Sequence, residues 1–523
     1  MLLVFLATGC GSGSSSSAQP AASAHGDPES IFEDELHLHA DPSGTLNLLH
    51  RLGVSRVRVY LAWKTIAPGA SAQTRPAFNA ADPAAYPASA WSIYDRIVRA
   101  AAAQHIGLDF TIGGPVPQWA LGPGAPPNPF SSWKPSPADF GAFVQAAGAR
   151  YNGTFKPAGD ATPLPRVDFW SVWNEPNYGP GLAPQATQQS TVEVSPNLYR
   201  GLLDAAWRAL EQTGHGQDTI LIGEVAPRGQ TSGNQPGNFS GMVPLRFVRA
   251  LYCVDDSFRA LSGAAASARG CPPDASGSKR FAGEHPALFR ASGFAVHPYP
   301  QGNIPPNVRT PGEPDFADLA ALPNLASTLD RALAAHGVSR QLPIYSTEFG
   351  YQTNPPEKIA RAIDPNTAAI YLNWSEYLTW RDPRIRSYDQ YLLTDPPAAN
   401  SLGGFATGLW FSNSVPKATY PAFRIPIYLP AGGTGGAGEV EIWGCVRPAP
   451  DVKRDTGQGR SADIQFRPSG SGAFKTLRSV PISDPRGYFD VRVALPQSGA
   501  VRIAWAYPDG TKIYSRNASF TRR

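Results

Sequence analysis

Strand-like and helix-like segments alternate eight times between residues 31 and 423, and few folds accept that pattern. Where a helix joins two strands of one sheet, the strands run parallel and the crossover is right-handed. Eight such units in one run predict an α/β fold, the (β/α)8 barrel. The expected strands lie at 30–35, 56–61, 107–112, 167–173, 219–224, 293–297, 342–347 and 387–393. Apolar residues at helical spacing mark 45–52, 90–103, 137–150, 196–213, 243–252, 325–336, 366–380 and 417–423, with Ser136 the candidate cap of the third. The span exceeds the roughly 250 residues typical of such a barrel. The excess falls in 113–135, 177–194 and 226–241, after strands three, four and five. In this fold those loops build the functional face.

The texture changes at about residue 424. A glycine-rich stretch, 432–436, precedes short alternating segments at 440–443, 462–467, 488–493, 501–506 and 511–515. Turn residues separate them, which predicts a small antiparallel β-sandwich. The expected organisation is a leader and tether over 1–30, the barrel over 31–424 and an immunoglobulin-like accessory domain over 425–523. A chain of 523 residues is too long for one ordinary core and suits this division.

The first seven residues are apolar and are followed by Thr8-Gly9-Cys10 and a Gly/Ser/Ala/Gln-rich stretch. This resembles the end of a bacterial lipoprotein signal, although no Lys or Arg precedes the apolar run. It implies an extracytoplasmic protein, secreted or anchored by a lipid on Cys10. No later stretch is long and apolar enough to span a bilayer. Cys253 and Cys271 bracket an irregular loop and are candidates for a disulfide, while Cys445 sits in a strand-like segment as a small apolar residue. No Cys/His spacing matches a zinc site. The net charge of +4 is small and dispersed, with no basic stripe, so nucleic acid is not an expected partner.

The residues that carry chemistry follow two strands. Trp173-Asn174-Glu175-Pro176-Asn177 comes directly after the fourth, and Ser346-Thr347-Glu348-Phe349-Gly350 after the seventh. A barrel brings both strand ends to one mouth. Two carboxylates facing one cleft are what glycoside hydrolysis requires, one protonated and one ionised. Aromatic residues make up 11% of the chain, with 12 Trp, enough to line such a cleft with flat rings for sugar C–H faces. Glu33, Asp34, Glu35, His37 and His39 crowd the end of the first strand. They read as a polar cleft wall or turn rather than as metal ligands.

On these motifs the chain resembles clan A of the glycoside hydrolases, most closely family 39 and related bacterial members. Asn174-Glu175 and Glu348 match that clan's two motifs in the expected barrel order. Supporting matches are Arg58 on strand two, His297-Pro298-Tyr299 after strand six, and the stretch from Tyr388 through Trp410 to Lys417. The resemblance implies a retaining hydrolase of oligo- or polysaccharides, with Glu175 as acid/base, Glu348 as nucleophile and no cofactor. It implies that Asn174 holds a substrate hydroxyl, that Tyr299 orients Glu348, and that Arg58 keeps Glu348 ionised. His297, Trp119 and Tyr391 complete the expected substrate contacts. The chain departs from the clan in having Gly113-Gly114-Pro115 where many members carry a His, and Tyr391 near where many carry a Trp. A carbohydrate-binding pseudoenzyme and a surface adhesion protein are the competing expectations.

Overall fold

The computed structural model describes residues 26–522, apart from 128–129, 188–191, 232–238, 398–403, 432, 436–437, 449–459, 471 and 508. The expected leader, with Cys10, lies outside the described residues.

Eight parallel strands close into a barrel. They are β1 (Glu29–Glu33), β2 (Arg56–Ala62), β3 (Gly107–Gly113), β4 (Phe169–Val172), β5 (Thr219–Val225), β6 (Gly293–Val296), β7 (Ile344–Ser346) and β8 (Ile385–Tyr391). Closure pairs β8 with β1, where Tyr391 lies opposite Glu33. Most strand residues are buried because helices cover the outside while side chains fill the inside. The covering helices show the expected spacing. In Ala88–Gln104 the buried residues are Trp91, Tyr94, Ile97, Val98 and Ala101, one stripe turned to the sheet. The helix Pro137–Arg150 starts where Ser136 accepts the Asp139 N–H at 3.3 Å.

β1 is shorter than its sequence suggests, ending at Glu33 rather than 35. Asp34 turns the chain by capping the helix Glu35–Ala40, accepting the His37 N–H at 3.0 Å. His37 Nδ1 lies 2.9 Å from the same carboxylate. His39 is exposed and packs edge-on against Tyr94. The acidic and imidazole cluster is thereby divided into a helix cap and a cleft wall.

The C-terminal part consists of two sheets. One holds Ser461–Pro468, Lys475–Pro481, Gly499–Ala506, Lys512–Tyr514 and Ala518–Arg522, with Thr434–Gly435 paired in parallel at its edge. The other holds Ile427–Tyr428, Glu439–Cys445 and Tyr488–Ala494. They share a core that includes Ile442, Ile464, Ile503, Trp505 and Phe520. The strand Lys475–Pro481 escapes a reading by pattern because only Val480 in it is buried.

An aromatic seam joins the two parts. Tyr377 and Trp380, on the barrel helix Pro365–Arg381, pack with Tyr428, Trp443 and Tyr488. Within the seam Glu376 is fully buried, accepts the Tyr488 hydroxyl at 3.0 Å and pairs with Arg447. Cys253 and Cys271 form a disulfide, and Cys445 is buried with its thiol held neutral by burial. No helix among the described residues is long and apolar enough to cross a membrane. Trp443→Ala empties the centre of the seam and is expected to cost about 3–5 kcal/mol in urea unfolding.

Candidate active site

The barrel mouth holds a cavity of about 290 Å³ lined by Glu33, Glu35, Arg58, Tyr60, Asn174, Glu175, Tyr299, Glu348, Tyr391 and Phe405. Each side chain reaches it from a strand end or the turn after it. Past β4 the chain bends sharply, with Trp173 at φ 76° and Glu175 at φ 44°, both left-handed. Non-glycine residues hold that conformation only when their surroundings fix it. Here the Trp173 N–H donates to the Ile112 carbonyl at 2.8 Å and the Glu175 N–H to the Glu224 carbonyl at 2.8 Å. Asn177, fully buried, donates to the Ala226 and Met242 carbonyls at 3.0 and 2.9 Å. Past β7, the Phe349 N–H donates to Asp389 at 3.0 Å, which turns Glu348 into the mouth.

Arg58, on β2 and buried, stands at the centre. Its Nη1 donates to Glu348 Oε1 at 2.7 Å and to Glu33. Its Nη2 donates to Asn174 Oδ1 at 2.7 Å and to Glu224 Oε2 at 3.1 Å. The Tyr299 hydroxyl donates to the other Glu348 oxygen at 3.1 Å. His297 bridges the two strand-end carboxylates. Its Nδ1 lies 3.1 Å from Glu175 Oε1 and 3.5 Å from Glu348 Oε1, while its Nε2 lies 2.9 Å from Glu224 Oε2. One oxygen of Glu175, one of Glu348 and a His297 nitrogen all lie within 4.8 Å of one another.

The electrostatics follow from these contacts. Burial opposes the charge of His297, but Glu348 and the hydrogen bonds from Glu175 and Glu224 outweigh it and lift its pKa from 6.5 to about 10. At neutral pH that value puts a proton on both ring nitrogens, so an imidazolium stands between the carboxylates. Burial alone would raise Glu224, yet the Arg58 charge and the His297 hydrogen bond hold it below the usual value. Glu33 is pushed up to about 8, chiefly by burial, with Arg58 offsetting part of that. Glu35 is also raised, chiefly by burial. Asp109, on β3, is raised to about 7 by burial and by the Glu224 charge.

The structure therefore brings Glu175, Glu348, Asn174, Arg58, His297, Tyr299 and Tyr391 to one mouth. Trp119 lies outside the lining of this cavity and is half-buried. Its indole N–H donates to the Pro68 carbonyl at 3.3 Å, and its ring packs edge-on against Trp63 and Phe78. It pins the loop after β3. The absent third-strand imidazole has a local account too. A Cβ on Gly113 would meet the Tyr60 hydroxyl at 2.8 Å, so Tyr60 already fills that space.

Glu224 is the residue that sequence reasoning missed. It is the penultimate residue of β5, close to where Glu175 stands after β4, and Gly223 before it, at φ 103°, marks the bend. Phe405 carries no signal in the sequence, because it comes from an irregular loop.

Comparison with known proteins adds little to this picture. No family model matches the chain, and no curated protein is similar to it. Solved structures similar to it include a family 39 glycoside hydrolase from the gut symbiont Bacteroides cellulosilyticus WH2, 15% identical, covering 89% of this chain and 79% of that one, with a TM-score of 0.43. A β-glucosidase from Exiguobacterium marinum is 15% identical over 74% of this chain and 86% of that one, with a TM-score of 0.44. A glucosidase from Croceicoccus marinus is 13% identical over 86% and 76%, with a TM-score of 0.43. At such identities and scores nothing about chemistry passes from those proteins to this chain.

The Glu224 contact yields a test. Glu224→Gln removes one of the anions that keep His297 charged, so the imidazole pKa is expected to fall by at least about one unit, 1.4 kcal/mol. A titration of the ring by 15N NMR measures it directly. The sign for stability follows: His297, raised in the folded state, contributes fully below about pH 6.5, and that contribution fades as pH rises towards about 10. The variant is expected to lose less stability than the parent over that interval.

Proposed function

We propose that this protein is a retaining O-glycosidase acting on oligo- or polysaccharides. The observation that carries the reading is the pair Glu175 and Glu348 at the mouth of one barrel, bridged within 4.8 Å by His297. Retaining glycosidases hold their carboxyl groups about 5–5.5 Å apart, and inverting enzymes about 6.5–9.5 Å. Facing oxygens within 4.8 Å of each other are compatible with the shorter separation, and the anomer released decides between the two.

Glu348 is the nucleophile. Arg58 and Tyr299 each hold one of its oxygens, which fixes the attacking carboxylate. It attacks the anomeric carbon as the bond from that carbon to the leaving oxygen breaks, and a glycosyl ester forms. Glu175 gives its proton to the leaving oxygen. It then takes a proton from water, whose oxygen displaces Glu348 with net retention. His297 lends positive charge to both carboxylates in turn. Tyr299, Tyr391 and Phe405 stand edge-to-face around the cavity and offer apolar surface to a sugar ring. Asn174 reads the hydroxyl beside the reacting carbon.

The Cys253–Cys271 disulfide supports a place outside the cytoplasm, with Cys10 as the lipid anchor. Metabolic labelling with a fatty acid is expected to mark the parent chain and not Cys10→Ala; equal labelling removes the anchor.

Turnover of a panel of aryl glycosides and polysaccharides tests the reaction. Glu348→Ala and Glu175→Ala are expected to lose at least about 10³-fold in kcat/KM on unactivated substrates, about 4 kcal/mol of barrier. The anomer released, followed by NMR, is expected to be that of the substrate. Turnover that survives the loss of Glu348 would sink the assignment.

A further inference from the structure

Lys417 is a buried charge outside the cavity lining, and the proposed reaction leaves it unused. It stands just before the helix Thr419–Arg424, and neither its side chain nor that of its partner Asp395 is exposed. The ammonium has three protons and three acceptors: Asp395 Oδ1 at 2.6 Å, Thr353 Oγ1 at 2.7 Å and the Ala406 carbonyl at 3.1 Å. Thr353 follows β7 and Asp395 follows β8, so one point charge ties both of those loops to the segment 405–408. Replacing a buried ion pair by apolar residues of similar volume is often neutral or stabilising, so stability alone does not account for this one.

The same groups grip that segment from several sides. The Ala406 N–H donates to Glu357 at 3.0 Å, and the Gly408 N–H donates to Asp395 Oδ1 at 3.1 Å. The Ala406 carbonyl also accepts the Thr353 N–H at 3.1 Å and the Thr353 hydroxyl at 3.2 Å. The Thr407 carbonyl accepts the Gln390 amide at 2.8 Å. Phe405, where the segment begins, is left-handed at φ 44°. A non-glycine residue keeps that conformation only where its surroundings over-determine it. The Phe405 ring lines the cavity, its centroid 5.4 Å from that of Tyr299 and 6.3 Å from that of Tyr391.

We propose that Lys417, Thr353 and Asp395 are positioning residues for substrate binding, which hold the backbone of 406–408 so that the Phe405 ring stands as a fixed apolar wall for the sugar. None of the three lines the cavity, and they act through Phe405. A ring fixed beforehand has no freedom left to lose when the sugar arrives, so the gain falls on binding and not on the bond-breaking step. That the ligand is a sugar rests on the glycosidase reading; that these residues fix the ring does not.

Two measurements on the whole chain test it. With 4-fluorophenylalanine at position 405, 19F NMR is expected to give one narrow line in the parent and in Thr353→Ser, which keeps the hydroxyl. Thr353→Val, of the same shape without the hydroxyl, and Lys417→Met are expected to broaden or divide that line. On an aryl glycoside that the parent turns over, Thr353→Val is expected to raise KM about tenfold, to leave kcat within about twofold, and to add nothing further to Phe405→Ala. An unchanged 19F line in Thr353→Val overturns the proposal. So does a loss confined to kcat, which would place these residues behind Tyr299 and Glu348 instead. A changed line in a protein that turns over no glycoside upholds the positioning and removes the glycosidase reading.

Discussion

One guanidinium holds the mouth of this barrel together. Arg58 reaches Glu33 from β1, Asn174 after β4, Glu224 on β5 and Glu348 after β7, so a single side chain ties four sectors of the ring. A buried cation of this kind demands anions, and the strand ends supply more than it can neutralise alone. His297 meets the remainder, and its elevated pKa is the measure of that excess. Breaking one partner of a buried ion pair costs about 3–5 kcal/mol, because the other charge is left without compensation. The charges are therefore interlocked, and none of them is free to move independently of the rest.

This interlocking explains how the backbone tolerates left-handed residues at Trp173, Glu175 and Glu224. Each such residue carries an energetic cost of about 1–3 kcal/mol. The bend at Glu175 is fastened to the bend at Glu224 by a main-chain hydrogen bond, and Glu224 is fastened to Arg58, His297 and Thr347 through its side chain. Strain and charge are located together, which fixes the two mouth carboxylates in place before any ligand arrives. That is the preorganisation that electrostatic stabilisation of a charged transition state requires.

Much of this was legible in the residues. The alternation of periods two and 3.6 placed all eight strands, because parallel strands under helices must be apolar and the helices over them amphipathic. Asn174-Glu175 and Glu348 stood out because each directly follows a strand. Glu224 stood in an equivalent place and went unread, since nothing in the segment Ile222-Gly223-Glu224 separates an acid that faces inwards from one that ends in solvent. Trp119 shows a related limit. An aromatic residue in a loop after a strand looks the same in sequence whether it faces a ligand or, as here, packs against neighbouring rings such as Trp63 and Phe78. The exposed strand Lys475–Pro481 shows the same limit, because a strand that buries one residue leaves no pattern to read.

The seam between the barrel and the C-terminal sheets has a consequence for ancestry. Glu376 is a charge fully enclosed where the two parts meet, and its partners Arg447 and Tyr488 both come from the far side. A barrel shorn of the last hundred residues would keep that carboxylate and lose its counter-charge, together with the rings that now cover Tyr377 and Trp380. The C-terminal sheets thus share a buried seam with the barrel rather than hanging from it by a linker. Loss of the second part would bare the rings of Tyr377 and Trp380 to water, so lineages that lack it are expected to carry more polar residues there.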